Sequence, residues 1–229
     1  QGRPPSLLYI GPHYTVHELE PRSMFDYSEQ LAPWAPRMVF VDPNPRVIPL
    51  LKAKLASLGA PADATEVVHA AVCDEDGEQS FFMASERFFE DKRLDETARR
   101  ELEFGMSMIR GYTVGAGVPE EYVEEVLVKC LSPPSLLSAT SMPDGPDVLL
   151  IDAEGYDLGI MQRLLKVERF RPAAISFEWS GAFKMALHLH PQERVEEEFD
   201  KWIQPLMTEL ASAGYALYQD DGDLWATLG

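Results

Sequence analysis

The chain has little of what usually names a function at sight. Its 229 residues hold only two cysteines, Cys73 and Cys130, at no metal-ligand spacing, so a Cys- and His-bound zinc site is excluded. Both fall in predicted strands, where buried free thiols are expected. No apolar stretch reaches the roughly 20 residues of a membrane-spanning helix. The opening QGRPPSLLYIG has neither a basic leader nor a long hydrophobic segment. A cytoplasmic protein is expected, with a removed upstream targeting segment left open by the start at Gln1 rather than Met. Cations are scarce: 20 Lys and Arg against 38 Asp and Glu give a formal charge of −18. Nucleic acid is bound through clustered Lys and Arg, so it is excluded as a main partner, and the acidity is read as a solvated surface. Glycine is scarce where a dinucleotide enzyme needs it. The turn after the first predicted strand, IGPHYTVHE, has Gly11 alone instead of the three-glycine fingerprint, which argues against a nicotinamide enzyme. Internal repeats, a Ser-His-Asp order and a phosphate-binding loop are also missing.

A composition of 45% hydrophobic and 25% charged residues over this length suits one globular domain spanning residues 1–229. SLLYIG and MVFVD read as short buried strands ending at Gly11 and Asp42. Asn44 and Pro45 then have helix-start chemistry, and Val47, Ile48, Leu51, Leu55 and Leu58 keep helical spacing up to Gly59. Residues 66–73 form the next predicted strand, and the turn DEDG should fold QSFFM back as a hairpin arm. The charged stretch 85–119 reads as a helical insertion, either a lid over a cleft or a solvated helix with one apolar face. A strand follows at 122–131, then a short helix PPSLLSA. DVLLIDA has the near-continuous apolar run of a central parallel strand, with a helix behind it carrying Leu158, Ile160, Met161, Leu164 and Leu165 inward. RPAAISFEWS is another buried strand. A long helix over 194–212, kinked by Pro205, and a closing hairpin, YALYQ and LWATL around DDGD, complete the chain.

Strands alternating with helices before a terminal hairpin imply a doubly wound, mostly parallel α/β sheet with an antiparallel edge. Ligands of such sheets sit at the carboxyl ends of the strands near the topological switch point. That rule selects Gly11, Asp42, Ala71, Asp152 and Glu178. A carboxylate such as Asp42 can accept hydrogen bonds from both hydroxyls of a ribose, or can simply terminate its strand in the Asp-Pro-Asn-Pro turn. S-adenosylmethionine carries no pyrophosphate and demands less of the glycine-poor loop. Asp152 and Glu154 follow the central strand, where a carboxylate can orient an acceptor hydroxyl, take its proton or stabilise a sulfonium. Asp157 is expected to cap the following helix, and Glu178 is a further catalytic candidate. His13 belongs to the first ligand loop, His69 reads as a core histidine, and His188 and His190 as loop residues.

The segments VFVDPNP (39–45), HAAVCDEDGEQSFF (69–82), VKCLSPPSLL (128–137), IDAEGYD (151–157), ISFEW (175–179) and AGYALYQ (213–219) together resemble the FkbM family of S-adenosylmethionine-dependent methyltransferases. The resemblance covers most of the chain. It implies a class I Rossmann-like fold, seven strands with helices on both faces, and O-methylation of a hydroxylated small molecule such as a sugar or natural product. By motif position it implies that Asp42, with Pro43 and Asn44, holds the cofactor ribose, that Ala71 and Val72 line the adenine pocket, and that Asp152 and Glu154 face the methyl-transfer site. The chain departs from the family pattern in the first loop, where YIGPHYTVHE puts the bulk of Tyr9 and His13 beside Gly11 at the methionine end of the cofactor. The competing reading is a non-catalytic methyltransferase-like binding or assembly domain with a degenerate cofactor loop.

Overall fold

A computed structural model describes residues 4–13, 36–140, 142–153, 155–180, 183, 194–220 and 222–229. Its larger sheet has seven strands: β1 (Ser6–Ile10), β2 (Arg37–Asp42), β3 (Thr65–His69), β8 (Val148–Ile151), β9 (Ala174–Glu178), β10 (Tyr215–Asp220) and β11 (Asp223–Leu228). In space they run β3-β2-β1-β8-β9-β11-β10. The first five are parallel, and β11 is antiparallel to both β9 and β10. This is the doubly wound, mostly parallel sheet with an antiparallel C-terminal hairpin that the sequence pattern implies. The chain leaves central β1 toward β2 on one side and returns to β8 on the other, so the switch point lies between β1 and β8.

Alternation along the strands builds two apolar layers. Leu8, Ile10, Val39, Val41, Leu149 and Ile151 face one layer. It is covered by α5 (Pro133–Ala139), α6 (Asp157–Leu164) and α7 (Val195–Ser212), with Leu136, Met161, Ile203 and Leu210 buried against it. Leu7, Tyr9, Met38, Phe40 and Leu150 face the other layer, covered by α1 (Val47–Ser57) through Val47, Leu51 and Leu55. The Asn44 carbonyl accepts the first bond of α1, from Ile48 N–H at 3.3 Å. The far end closes as a Schellman motif: Gly59, at φ +78°, donates to Ala56 and Ala60 donates to Leu55.

A second sheet, ordered β4-β7-β5-β6, stands beside the first. It comprises β4 (Ala71–Val72), β5 (Gly77–Ala84), β6 (Met106–Ser107) and β7 (Val123–Leu131). The predicted strand over 66–73 is therefore divided: its first half pairs with β2, and after Ala70 the chain crosses to β7. The expected hairpin of β4 and β5 is not made either, because β7 lies between them, parallel to β4 and antiparallel to β5. Between β5 and β7, residues 85–119 form α2 (Glu86–Asp91), α3 (Glu96–Phe104), β6 and α4 (Arg110–Gly115).

Cys73 and Cys130 form a disulfide, with Cα atoms 5.5 Å apart across 57 residues of sequence. The expectation of free thiols is corrected. The β4–β7 pairing that brings the two cysteines together is non-local, and strand periodicity within either segment carries no sign of it. Among the described residues no helix is long and apolar enough to cross a membrane, and no cluster of potential metal ligands occurs.

Candidate functional site

At the carboxyl ends of β1, β2 and β8, beside the switch point, lies a cavity of about 590 Å³ between the two sheets. Its floor is the strand-end turns. Gly11 follows β1 with φ +77°, and any Cβ there would overlap the Asp152 carbonyl. The Gly11 N–H donates to Val41 O at 2.8 Å and the Asp152 N–H to Ile10 O at 2.9 Å. Glycine is thus required by close approach of the backbones after β1 and β8, and one glycine suffices for it. His13 follows at φ +50° and sets its ring edge-on to Phe104, with centroids 5.4 Å apart.

Asp42 ends β2 with only 5% of its surface exposed. Its Oδ1 accepts from Asn44 N–H at 2.8 Å, and the His13 backbone amide also bonds the carboxylate. Burial nevertheless dominates and pushes its pKa up to about 7. Asn44 is buried and spent locally: its Oδ1 accepts from Arg46 N–H (2.9 Å) and its Nδ2 donates to the Phe104 carbonyl (2.8 Å). Pro43 lines the cavity while its carbonyl accepts from His69 Nε2 at 3.0 Å. His69 is exposed, a correction to its expected place in the core. Ala70, Ala71 and Val72, where the chain changes sheets, make the adjoining apolar wall.

The roof comes from the second sheet and its helices, through Phe81, Glu96, Phe104, Gly105, Met106 and Met108. Of the stretch 85–119, residues Glu96, Phe104, Gly105, Met106 and Met108 thus lie over the cavity. From the floor, Tyr156 reaches toward Ser107 and Met108 of the roof, and burial raises its phenol pKa.

Of the residues singled out in the sequence, Gly11, His13, Asp42, Pro43, Asn44, Ala71, Val72 and Asp152 come together around this cavity. Tyr9 does not. It is fully buried on the opposite face of β1, its ring 6.3 Å from that of Phe40 in the layer under α1. Strand alternation sends Ile10, not Tyr9, toward the cavity side. Glu178 is not among the lining residues either. It ends β9, beyond β8, accepts a hydrogen bond from Ser180 Oγ and faces Asp157. Glu154, His188 and His190 lie outside the described residues.

Asp157 opens α6 as expected of a helix-capping acid, its carboxylate bonding its own amide in the first turn. Its buried carboxylate turns back from the first position of α6, accepting from Ala153 N–H (3.1 Å) and Gly155 N–H (3.0 Å). Burial, with a smaller contribution from Glu178, pushes its pKa to about 7. The roof residues were the part missed in the sequence. Phe81 and the Met106, Met108 pair read there as ordinary apolar positions, and only the sheet change after Ala70 places them over the strand ends.

The Methyltransferase FkbM domain family matches residues 14–217. No curated protein matches the chain. Among solved structures, an SAH-bound methyltransferase of Podospora anserina is similar at 10% identity, covering 98% of this chain and 71% of that one, with a TM-score of 0.43. The O-methyltransferase TomG of Streptomyces achromogenes, in complex with SAM, gives 13%, 98%, 73% and 0.43 for the same measures. An O-methyltransferase of Bacillus cereus in complex with SAH gives 12%, 98%, 74% and 0.44.

Proposed function

The chain belongs to the FkbM methyltransferase family, and we propose that it transfers the methyl group of S-adenosylmethionine to a hydroxyl of a small molecule. The observation that carries the reading is Asp42: a buried carboxylate at a strand end, lining a cavity it shares with Gly11, Ala71 and Val72. These residues fit a nucleoside. Two ribose hydroxyls donating to Asp42 would favour its ionised form and offset the burial that raises its pKa. Gly11 lets the β1 and β8 turns close together beneath the cavity, and Ala71 and Val72 offer an apolar wall to adenine.

When bound, S-adenosylmethionine supplies an electrophilic methyl carbon on a sulfonium. An acceptor hydroxyl held beside that carbon would need to give up its proton, and Asp152 or Glu154 is the carboxylate that would take it. Asp152 at the cavity is placed to orient the acceptor and steady positive charge, and Glu154, two residues on, is the second carboxylate in this reading. Glu178, the further candidate on neighbouring β9, faces Asp157 and is not among the described residues that line the cavity. His13 lines the floor, and Phe81, Met106 and Met108 line the roof. Disulfide bonds are characteristic of oxidising compartments, so Cys73–Cys130 supports such a location over the cytoplasmic one expected from the sequence.

Either S-adenosylmethionine or its demethylated product should raise the melting temperature by mass action. Methylation of a panel of hydroxylated small molecules, followed by mass spectrometry, should then find an acceptor. No shift at millimolar cofactor rejects the proposal. A shift without transfer to any hydroxyl favours the binding-domain alternative, whose support is the glycine-poor first loop.

A further inference from the structure

We propose that Arg46 is a positioning residue that sets cofactor retention, by pinning the roof of the cavity to the turn that carries Asp42. The inference rests on the cavity being the cofactor site, as proposed above. Arg46 does not line the cavity, and its guanidinium touches no residue that does except through the backbone of α3 and β5. It stands at the start of α1, four residues past Asp42, with its amide bonded to Asn44 Oδ1 at 2.9 Å.

From there one guanidinium spans the elements behind the roof. Nη1 donates to the Ala84 carbonyl at the end of β5 (2.8 Å) and to the Glu103 carbonyl near the end of α3 (3.4 Å). Nη2 pairs with Glu86 of α2 at 2.8 Å and lies 3.8 Å from Glu124 of β7. The guanidinium carbon sits 6.0 Å from the centre of the Phe89 ring. Its side chain is only 18% exposed while Glu86 is 70% exposed, so its bonds to the Ala84 and Glu103 carbonyls are less weakened by solvent than the ion pair is.

The placement has a local cause. The last carbonyls of a helix have no partner within the helix and carry the negative end of its dipole. In α3 two of them, on Glu103 and Phe104, are taken by Arg46 and by Asn44 Nδ2. Immediately beyond, Gly105 and Met106 run over the cavity. The turn beneath the expected ribose position thus holds the strand of chain that covers it. A ligand enclosed between floor and roof leaves only when the roof lifts, and its apparent affinity scales with the fraction of molecules whose roof is down. Loss of Arg46 lowers that fraction and speeds release.

The test uses S-adenosylmethionine and S-adenosylhomocysteine, with calorimetric Kd values and stopped-flow dissociation rates for wild type, Arg46→Met, Arg46→Lys and Arg87→Met. Arg87, on α2, pairs with Asp91 and lies over the Tyr122 ring, away from the Asp42 turn. Arg46→Met should raise Kd about tenfold or more, mainly through the dissociation rate, while the free protein keeps a cooperative melt. Arg46→Lys should show a rise of about threefold, because a single ammonium cannot reproduce the planar fork. Arg87→Met should bind as wild type does. A Kd for Arg46→Met within about twofold of wild type, or a change confined to the association rate, overturns the inference. If that variant does not fold, Arg46→Lys decides, and a wild-type Kd for it overturns the inference equally. Failure of the wild type itself to bind either probe refutes the cofactor site, a result distinct from binding that ignores Arg46.

Discussion

The turns after β2 and after β8 each hold one deeply buried aspartate, and the two look alike by every measure except what their oxygens do. Asp42 and Asp157 are 5% and 0% exposed, and burial pushes both pKa values to about 7. Asp157 places one oxygen on Ala153 N–H and the other on Gly155 N–H, closing its own turn. Asp42 accepts from the Asn44 and His13 backbones yet still lines the cavity. Burial and a perturbed pKa therefore do not separate the carboxylate proposed to hold cofactor from the structural one. Access to the cavity does.

The largest effect expected of this pair is on stability against pH. Between about pH 4 and 7 the unfolded chain has released protons that the folded chain keeps on Asp42 and Asp157. Folding stability contributed by the pair thus falls as pH rises through that window, is level below it, and reaches its full penalty above pH 7, on the order of several kcal/mol in all. Denaturant unfolding from pH 4 to 8 should show the slope, and Asp42→Asn or Asp157→Asn should each remove part of it. A slope unchanged in both variants would break the equivalence of the two burials.

Next comes the effect that tells them apart. Asp157→Ala leaves the Ala153 and Gly155 amides without their acceptor and should cost about 2 kcal/mol of stability. Cofactor should still stabilise the variant that remains folded, by close to the wild-type increment. Asp42→Ala should instead weaken S-adenosylmethionine binding by about 10- to 30-fold, from lost hydrogen bonds to a charged group. Binding loss in the Asp157 variant equal to that in the Asp42 variant would erase the distinction. The smallest effect concerns binding against pH. Ribose hydroxyls donate to the ionised carboxylate, so Kd should tighten from pH 6 to 8 by up to about tenfold, with proton release measurable in buffers of different ionisation enthalpy. Asp42→Asn should bind weakly at every pH, with that dependence gone.

Much of this contrast was legible in the sequence, but unevenly. Apolar runs ending in Gly11, Asp42 and Asp152 gave the floor of the cavity, because strand periodicity and the switch-point rule are local and topological statements. Tyr9 was misplaced although the same alternation, applied one residue further, would have sent it into the α1 layer. Glu178 ends the strand beside β8 as expected, but a strand-end position does not by itself bring a side chain into the cavity. The division of residues 66–73 between two sheets, the disulfide, and the roof of Phe81, Met106 and Met108 all depend on pairing with β7, more than 50 residues downstream of β4. Asp157 keeps its expected place at the helix start and also closes the preceding turn. Side-chain direction at a helix start is set by the backbone before it, which periodicity does not describe.

Cys73 directly follows Val72, the residue that walls the cavity, and its bond to Cys130 has a practical meaning for anyone handling the protein. A sample made in a reducing cytosol and one passed through an oxidising secretory route are covalently different molecules. They share a sequence and differ in the tether beside the expected adenine wall. Thiol titration before any ligand measurement, and a host strain chosen for its oxidising power, turn that difference from an uncontrolled variable into a defined one.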